Sequence, residues 1–131
     1  MFWVFTNRTA SSAYTAHLMD VSVEHAYFVA FSPSARLAVG YVWRRSEFPW
    51  LGIWEENHSR QASPWNGVAL ARGMEFGVSP MPETRRQMID RGRMFDVPTY
   101  RWVPARTSAS VEYWIVAQSA SEIPKLLPWP G

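Results

Sequence analysis

The sequence predicts an all-β domain, an antiparallel sandwich or sheet with one short helix, on three observations. Short runs of aromatic and β-branched residues recur at hairpin spacing, separated by Pro, Gly, Ser and Asn. Only one stretch, near residues 83–91, carries helix boundary signals. Eight Trp, seven Phe and five Tyr form a heavy aromatic load, which packs well on a pleated surface. The same load also suits a carbohydrate-stacking surface, and composition does not separate the two.

The elements follow in order. Phe2 to Phe5 reads as the end of a strand, and Asn7 to Ser12 as a polar loop. Tyr14 to Met19 is a short strand with Asp20 at its end. His25 to Phe31 and the alternating Leu37, Val39, Tyr41, Trp43 flank the turn signal Ser32-Pro-Ser-Ala and form a hairpin. Trp50 to Glu55 is a strand with Gly52 between aromatics on one face. Asn57 to Leu70, broken by Pro64, Asn66 and Gly67, is a surface loop of functional size. A strand then runs through Arg72-Gly-Met-Glu-Phe-Gly-Val78 to Pro80 and Pro82. In the helix that follows, Pro82 precedes, Glu83 favours the N-terminus, and Gly92 suits the C-cap. Thr99 to Val103 and Ala109 to Ala117 form a last strand pair around Pro104, and 119–131 is a Pro-rich tail beyond a β domain at 1–118.

At 131 residues, 47% hydrophobic and 18% charged, the chain is long enough for one domain with a core. The net charge of +2 comes from arginines scattered among acids, without a basic stripe, which argues against a nucleic-acid partner. Without cysteine there is no disulfide, thiol nucleophile or Cys-based metal site. No apolar run reaches signal or transmembrane length, so a cytoplasmic location without membrane contact is the expectation. His17, His25 and His58 have no ligand spacing, and neither a nucleophile elbow nor a phosphate loop occurs.

Carboxylates remain. On the two-residue period, Met74, Phe76 and Val78 form a core stripe, while Gly73, Glu75, Gly77 and Ser79 share the other face. Glycine in a strand often marks the close approach of a ligand. Glu75 therefore projects from a hollow about one small molecule wide, and burial there would suit it to general-base work. An exposed face that merely tolerates Glu would carry the same pattern. Glu55 and Glu56 point to opposite faces at a strand end, where only one can share a surface with Trp50 and Trp54. Glu56 is assigned to that surface as a substrate contact, against the plainer alternative of a solvated strand end.

FPWLGIWEENHSR, then RGMEFGVSPMPE, then PTYRWVPARTSASVEYW resemble, in this order, segments of the aldose 1-epimerases, the galactose mutarotase-like proteins. The resemblance covers most of 26–117 and implies the C-terminal half of a β-supersandwich of roughly twice this length. It implies an isomerase of carbohydrate metabolism, free of cofactor and metal, that interconverts the anomers of a free hexose. Glu75 would be the general base, Trp50, Trp54 and Arg72 walls of the site, and His17 and Asp20 a further substrate contact. The family's acid histidines belong to its N-terminal half, and none of the three histidines here sits in that motif. The alternative is a carbohydrate-binding or structural half-domain without catalysis. As half a sandwich, the chain would expose unpaired sheet edges, which favour self-association.

Overall fold

The computed structural model describes residues 9–124, so the strand expected at Phe2 to Phe5 lies outside the described residues. The fold is all-β and antiparallel, with one short helix, as the residue pattern predicts.

One three-stranded sheet, sheet A, has the order β1 (Ser11–Leu18), β4 (Trp50–Asn57), β5 (Leu70–Gly77). The other, sheet B, has the order β2 (His25–Ser32), β3 (Leu37–Arg44), β8 (Tyr113–Ser119). The expected hairpin is present, with Ala26 opposite Trp43 and Phe28 opposite Tyr41. The strand expected after the long loop is also present, and the structure pairs it with β4: β5 runs back along β4 from Leu70↔Asn57 to Gly77↔Trp50.

The two sheets meet through side chains. In sheet A the cross-strand rows Thr15–Ile53–Met74 and His17–Leu51–Phe76 share one face. Leu51 is buried in a cluster with Ala26 and Trp43 of sheet B, and Ile53, Met74 and Phe76 pack against it. Trp43 lies flat on Phe76, with centroids 4.5 Å apart and planes at 12°. Large flat rings at a sandwich interface each bury much apolar area, which is why a chain this short sustains a core.

Four details depart from expectation. β1 starts at Ser11, because Ser11 and Ser12 pair with Asn57 and Glu56 along the full length of β4. The helix, α1 (Arg85–Arg91), starts later than Glu83, because Thr84 caps it. The Thr84 Oγ1 accepts from the Gln87 amide and the Gln87 Oε1 accepts from the Thr84 amide, a reciprocal capping box. Glu83 instead accepts from Arg91 at 2.8 Å, and this bond first, then the Arg91 charge, holds its carboxyl below the usual range against the opposing effect of burial. Gly92 closes the helix at φ 70°, its N–H donating to Met88.

The last strand pair is not formed as expected. Thr99 to Val103 is irregular, because Thr99 is tied to the end of α1: its amide donates to Gly92 O and its Oγ1 to Met88 O. Pro98 and Pro104 flank the segment and supply no N–H to a ladder. Without that partner, Tyr113–Ser119 pairs with β3 instead. A small hairpin not foreseen, β6 (Arg93–Met94) with β7 (Val97–Pro98), turns through Phe95 and Asp96, both at positive φ.

Candidate functional site

Register decides which residues share the outer face of sheet A. Opposed residues on paired strands point to the same side. The outer rows are Ser12–Glu56–Ala71, Tyr14–Trp54–Gly73, Ala16–Gly52–Glu75 and Leu18–Trp50–Gly77. Trp50, Trp54, Glu56 and Glu75 therefore lie on one face. Arg72 and His17 lie on the other, the face toward sheet B.

Glu75 stands on a row whose central member, Gly52, has no side chain. It borders a groove of about 260 Å³ lined also by Tyr14, Gly77, Ser79, Met81 and Pro82. The glycines do different jobs. A Cβ on Gly52 would lie 2.2 Å from the Tyr14 phenol oxygen, so this glycine gives its space to the Tyr14 ring. At Gly73 the space is shared by the Glu75 carboxylate itself and Trp54: the Glu75 Oε1 and the Trp54 Cε3 would each be 3.5 Å from a Cβ. Only Gly77 borders open space, its nearest atom being the Ser79 amide nitrogen at 4.0 Å. The hollow foreseen around Glu75 thus opens on one side of the carboxylate. Glu75 itself is exposed, not buried as a general base in a closed pocket would be.

Tyr14 completes the groove. Its hydroxyl donates to Pro80 O at 3.1 Å. Burial first, and then the charge of Glu75, raise its pKa above the usual phenol value, so it stays a neutral donor at neutral pH. Ser79 adds a hydroxyl that donates to Met81 O at 3.3 Å, while Met81 and Pro82 add apolar surface. The groove offers a carboxylate acceptor and two hydroxyl oxygens whose protons are donated to Pro80 O and Met81 O. With the apolar wall, these suit a small molecule that brings several hydroxyl donors.

The other residues singled out in the sequence have different surroundings. Trp50 is buried, with its indole N–H donating to Pro98 O at 3.4 Å, so it packs beneath the β7 segment. Trp54 meets Trp65 edge to face at 5.9 Å, and the Arg60 guanidinium lies 5.2 Å from its ring. Glu56 is fully buried, sealed by the loop that follows it. Its Oε1 accepts from the Ser59 amide and hydroxyl and from the Arg60 amide, all within 2.9 Å. Burial alone would raise its pKa, but the Ser59 and Arg60 donors and the Arg60 charge outweigh it and hold the carboxyl below the usual range. Arg72 is ion-paired with Glu55. His17 shares a hydrogen bond with Thr15 at 3.1 Å. Asp20 is exposed in a turn, its carboxyl held low by the Ser22 amide and hydroxyl.

The structure therefore brings Glu75 and the edge of Trp54 to one surface, and keeps Arg72, His17 and Asp20 off it. Tyr14, Ser79, Met81 and Pro82 were not singled out in the sequence. Ser79 alone could have been, since it continues the Gly73, Glu75, Gly77 alternation. Among the described residues no three His, Asp or Glu side chains group to hold a metal, and no helix is long and apolar enough to cross a membrane. Compared with known proteins, the chain matches no protein-family model, no curated protein and no solved structure.

Proposed function

We propose that this chain is a carbohydrate-binding β domain of the aldose 1-epimerase-like kind, acting in the cytoplasm, with a free hexose held at the Glu75 groove. One observation carries the reading. Of the sheet A carboxylates, Glu55 is paired with Arg72 and Glu56 with Arg60, while Glu75 projects beside open space with no such partner among the described residues. A carboxylate so placed is an acceptor for ligand hydroxyl groups.

Catalysis is the second reading, favoured by the Tyr14 phenol in the same groove. Glu75 would take the proton of the anomeric hydroxyl as the C1–ring oxygen bond breaks, and Tyr14 would give its proton to the ring oxygen. Rotation about C1–C2 and reclosure would return both protons. The raised pKa of Tyr14 makes it a poor acid, so binding without marked acceleration is the expected result.

Two measurements test this. In an amide NMR titration with galactose and with glucose, the Gly77 and Ser79 signals should shift saturably, with Kd in the millimolar range, about −4 kcal/mol. Those shifts should vanish in Glu75→Gln. A flat titration for both sugars overturns the reading. Polarimetry on freshly dissolved glucose then separates the two versions, because a rate above buffer that is lost in Glu75→Gln would establish the catalytic one.

The proposed partners include a second copy of the chain. β8 borders no further strand among the described residues, and its seven residues carry no charge and no proline. Tyr113 and Ile115 are exposed along it. An edge without such safeguards pairs readily with an identical antiparallel edge. Size-exclusion elution should shift to larger size with concentration, and Ile115→Lys should abolish the shift. A wild-type protein that stays monomeric at high concentration rules this partner out.

A further inference from the structure

We infer that the Glu75 groove selects its ligand by charge, taking a sugar with a protonated amine in preference to a neutral hexose and rejecting phosphorylated or carboxylated sugars. This rests on the sugar-binding reading and adds the class of sugar.

The argument starts from what surrounds the carboxylate. Tyr14, Phe76, Gly77, Val78, Ser79, Met81 and Pro82 complete the lining, and none carries a positive charge. Glu75 takes part in no ion pair or hydrogen bond among the described residues, whereas both other sheet A carboxylates are neutralised by arginine.

Backbone register keeps it so. The residue opposite Glu75 in β4 is Gly52, and its same-face neighbours along β5 are Gly73 and Gly77. The three positions that directly flank Glu75 on its face therefore have no side chain to bring a counter-charge over it. Arg72, three residues away, points to the opposite face and is held by Glu55. The charge of the carboxylate reaches across the groove to Tyr14, where it adds to burial in raising the phenol pKa above its ordinary value. A ligand entering there meets one uncompensated negative charge. An ammonium group would answer it with an ion pair and donated hydrogen bonds, a neutral hydroxyl would donate only, and a phosphate or carboxylate would be repelled.

The test compares glucosamine, N-acetylglucosamine, glucose and glucose 6-phosphate by the same amide NMR titration, at pH 6 in low salt. Glucosamine should bind about two- to fivefold more tightly than glucose, the worth of an exposed ion pair. N-acetylglucosamine should match glucose, and glucose 6-phosphate should bind weakest. The glucosamine preference should disappear in Glu75→Gln, checked for native fold by circular dichroism, and shrink in 0.5 M salt, where screening shortens to about 4 Å. Equal affinity for glucosamine and glucose overturns charge selection while leaving sugar binding intact. Failure of glucosamine to bind overturns the inference. If ethanolamine shifts the Gly77 and Ser79 signals as strongly as glucosamine does, charge selection stands and the sugar reading falls.

Discussion

Trp43→Ala is expected to destabilise the domain by about 3–5 kcal/mol, the usual loss for truncating a buried large aromatic. Trp43 is fully buried and lies at the junction of the sheets. Its ring stacks on Phe76 from β5 and lies 6.1 Å from Phe28 of β2, and its indole N–H donates to Phe48 O at 2.7 Å. Removing it leaves a void on both sides of the interface, which facing rings on different sheets cannot close without backbone movement. Against a total stability of about 5–15 kcal/mol, this would leave a marginal or unfolded chain. Trp43→Phe keeps a ring on Phe76 but removes the donor to Phe48 O, and should cost about 1–2 kcal/mol. Urea unfolding followed by circular dichroism measures both. An unchanged midpoint for the alanine variant would mean that the sheets do not meet at this ring.

Glu56→Gln should lower the thermal midpoint by roughly 5 °C or more and loosen residues 58–69. The wild-type Oε1 gathers three donors from Ser59 and Arg60, and Oε2 lies 3.3 Å from Arg60 Nε. An amide keeps one acceptor oxygen but turns an N–H₂ group toward the Arg60 guanidinium, setting donor against donor in a sealed space. Arg60 also spans the Trp54 and Trp65 rings, so its release frees the loop from the sheet.

The pH dependence has a defined sign. The folded Glu56 carboxyl titrates below its ordinary value of 4.5, so the stability it contributes is fully present above pH 4.5 and is lost as pH falls below it. Asp20 and Glu83 also titrate below their ordinary values, and their contributions fade in acid too. The difference between wild type and variant isolates Glu56. That difference should be constant from pH 8 to 5 and shrink below 4.5. A difference that grows on acidification would contradict the assignment, and hydrogen exchange at Ser59 and Arg60 would locate the loosening.

Much of the fold was legible in local pattern. The β2–β3 hairpin announces itself by Ser32-Pro-Ser-Ala between alternating apolar runs, and Gly92 marks the helix end. Three features were not legible, each for a physical reason. The Thr84 capping box competes with an equally plausible start at Glu83, and only side-chain geometry separates them. The Phe95-Asp96 turn uses positive φ without glycine or asparagine, the residues that normally signal it. Thr99 to Val103 looks like a strand, but its first residue is held by α1 instead of a neighbouring strand.

The candidate site divides in the same way. The sequence by itself determined the all-β class, the alternation that sends Glu75 away from Met74 and Phe76, and the glycines on either side of it. These are local properties, fixed by the two-residue period of a strand. Only the tertiary structure decided that Gly52 stands opposite Glu75, that Tyr14 fills the space above Gly52, and that Arg72 and His17 face sheet B. It also decided that Glu56 is sealed beneath its own loop and that the hollow opens on the Gly77 side alone. Those facts depend on register between strands far apart in the chain, and a shift of one residue would reverse every face.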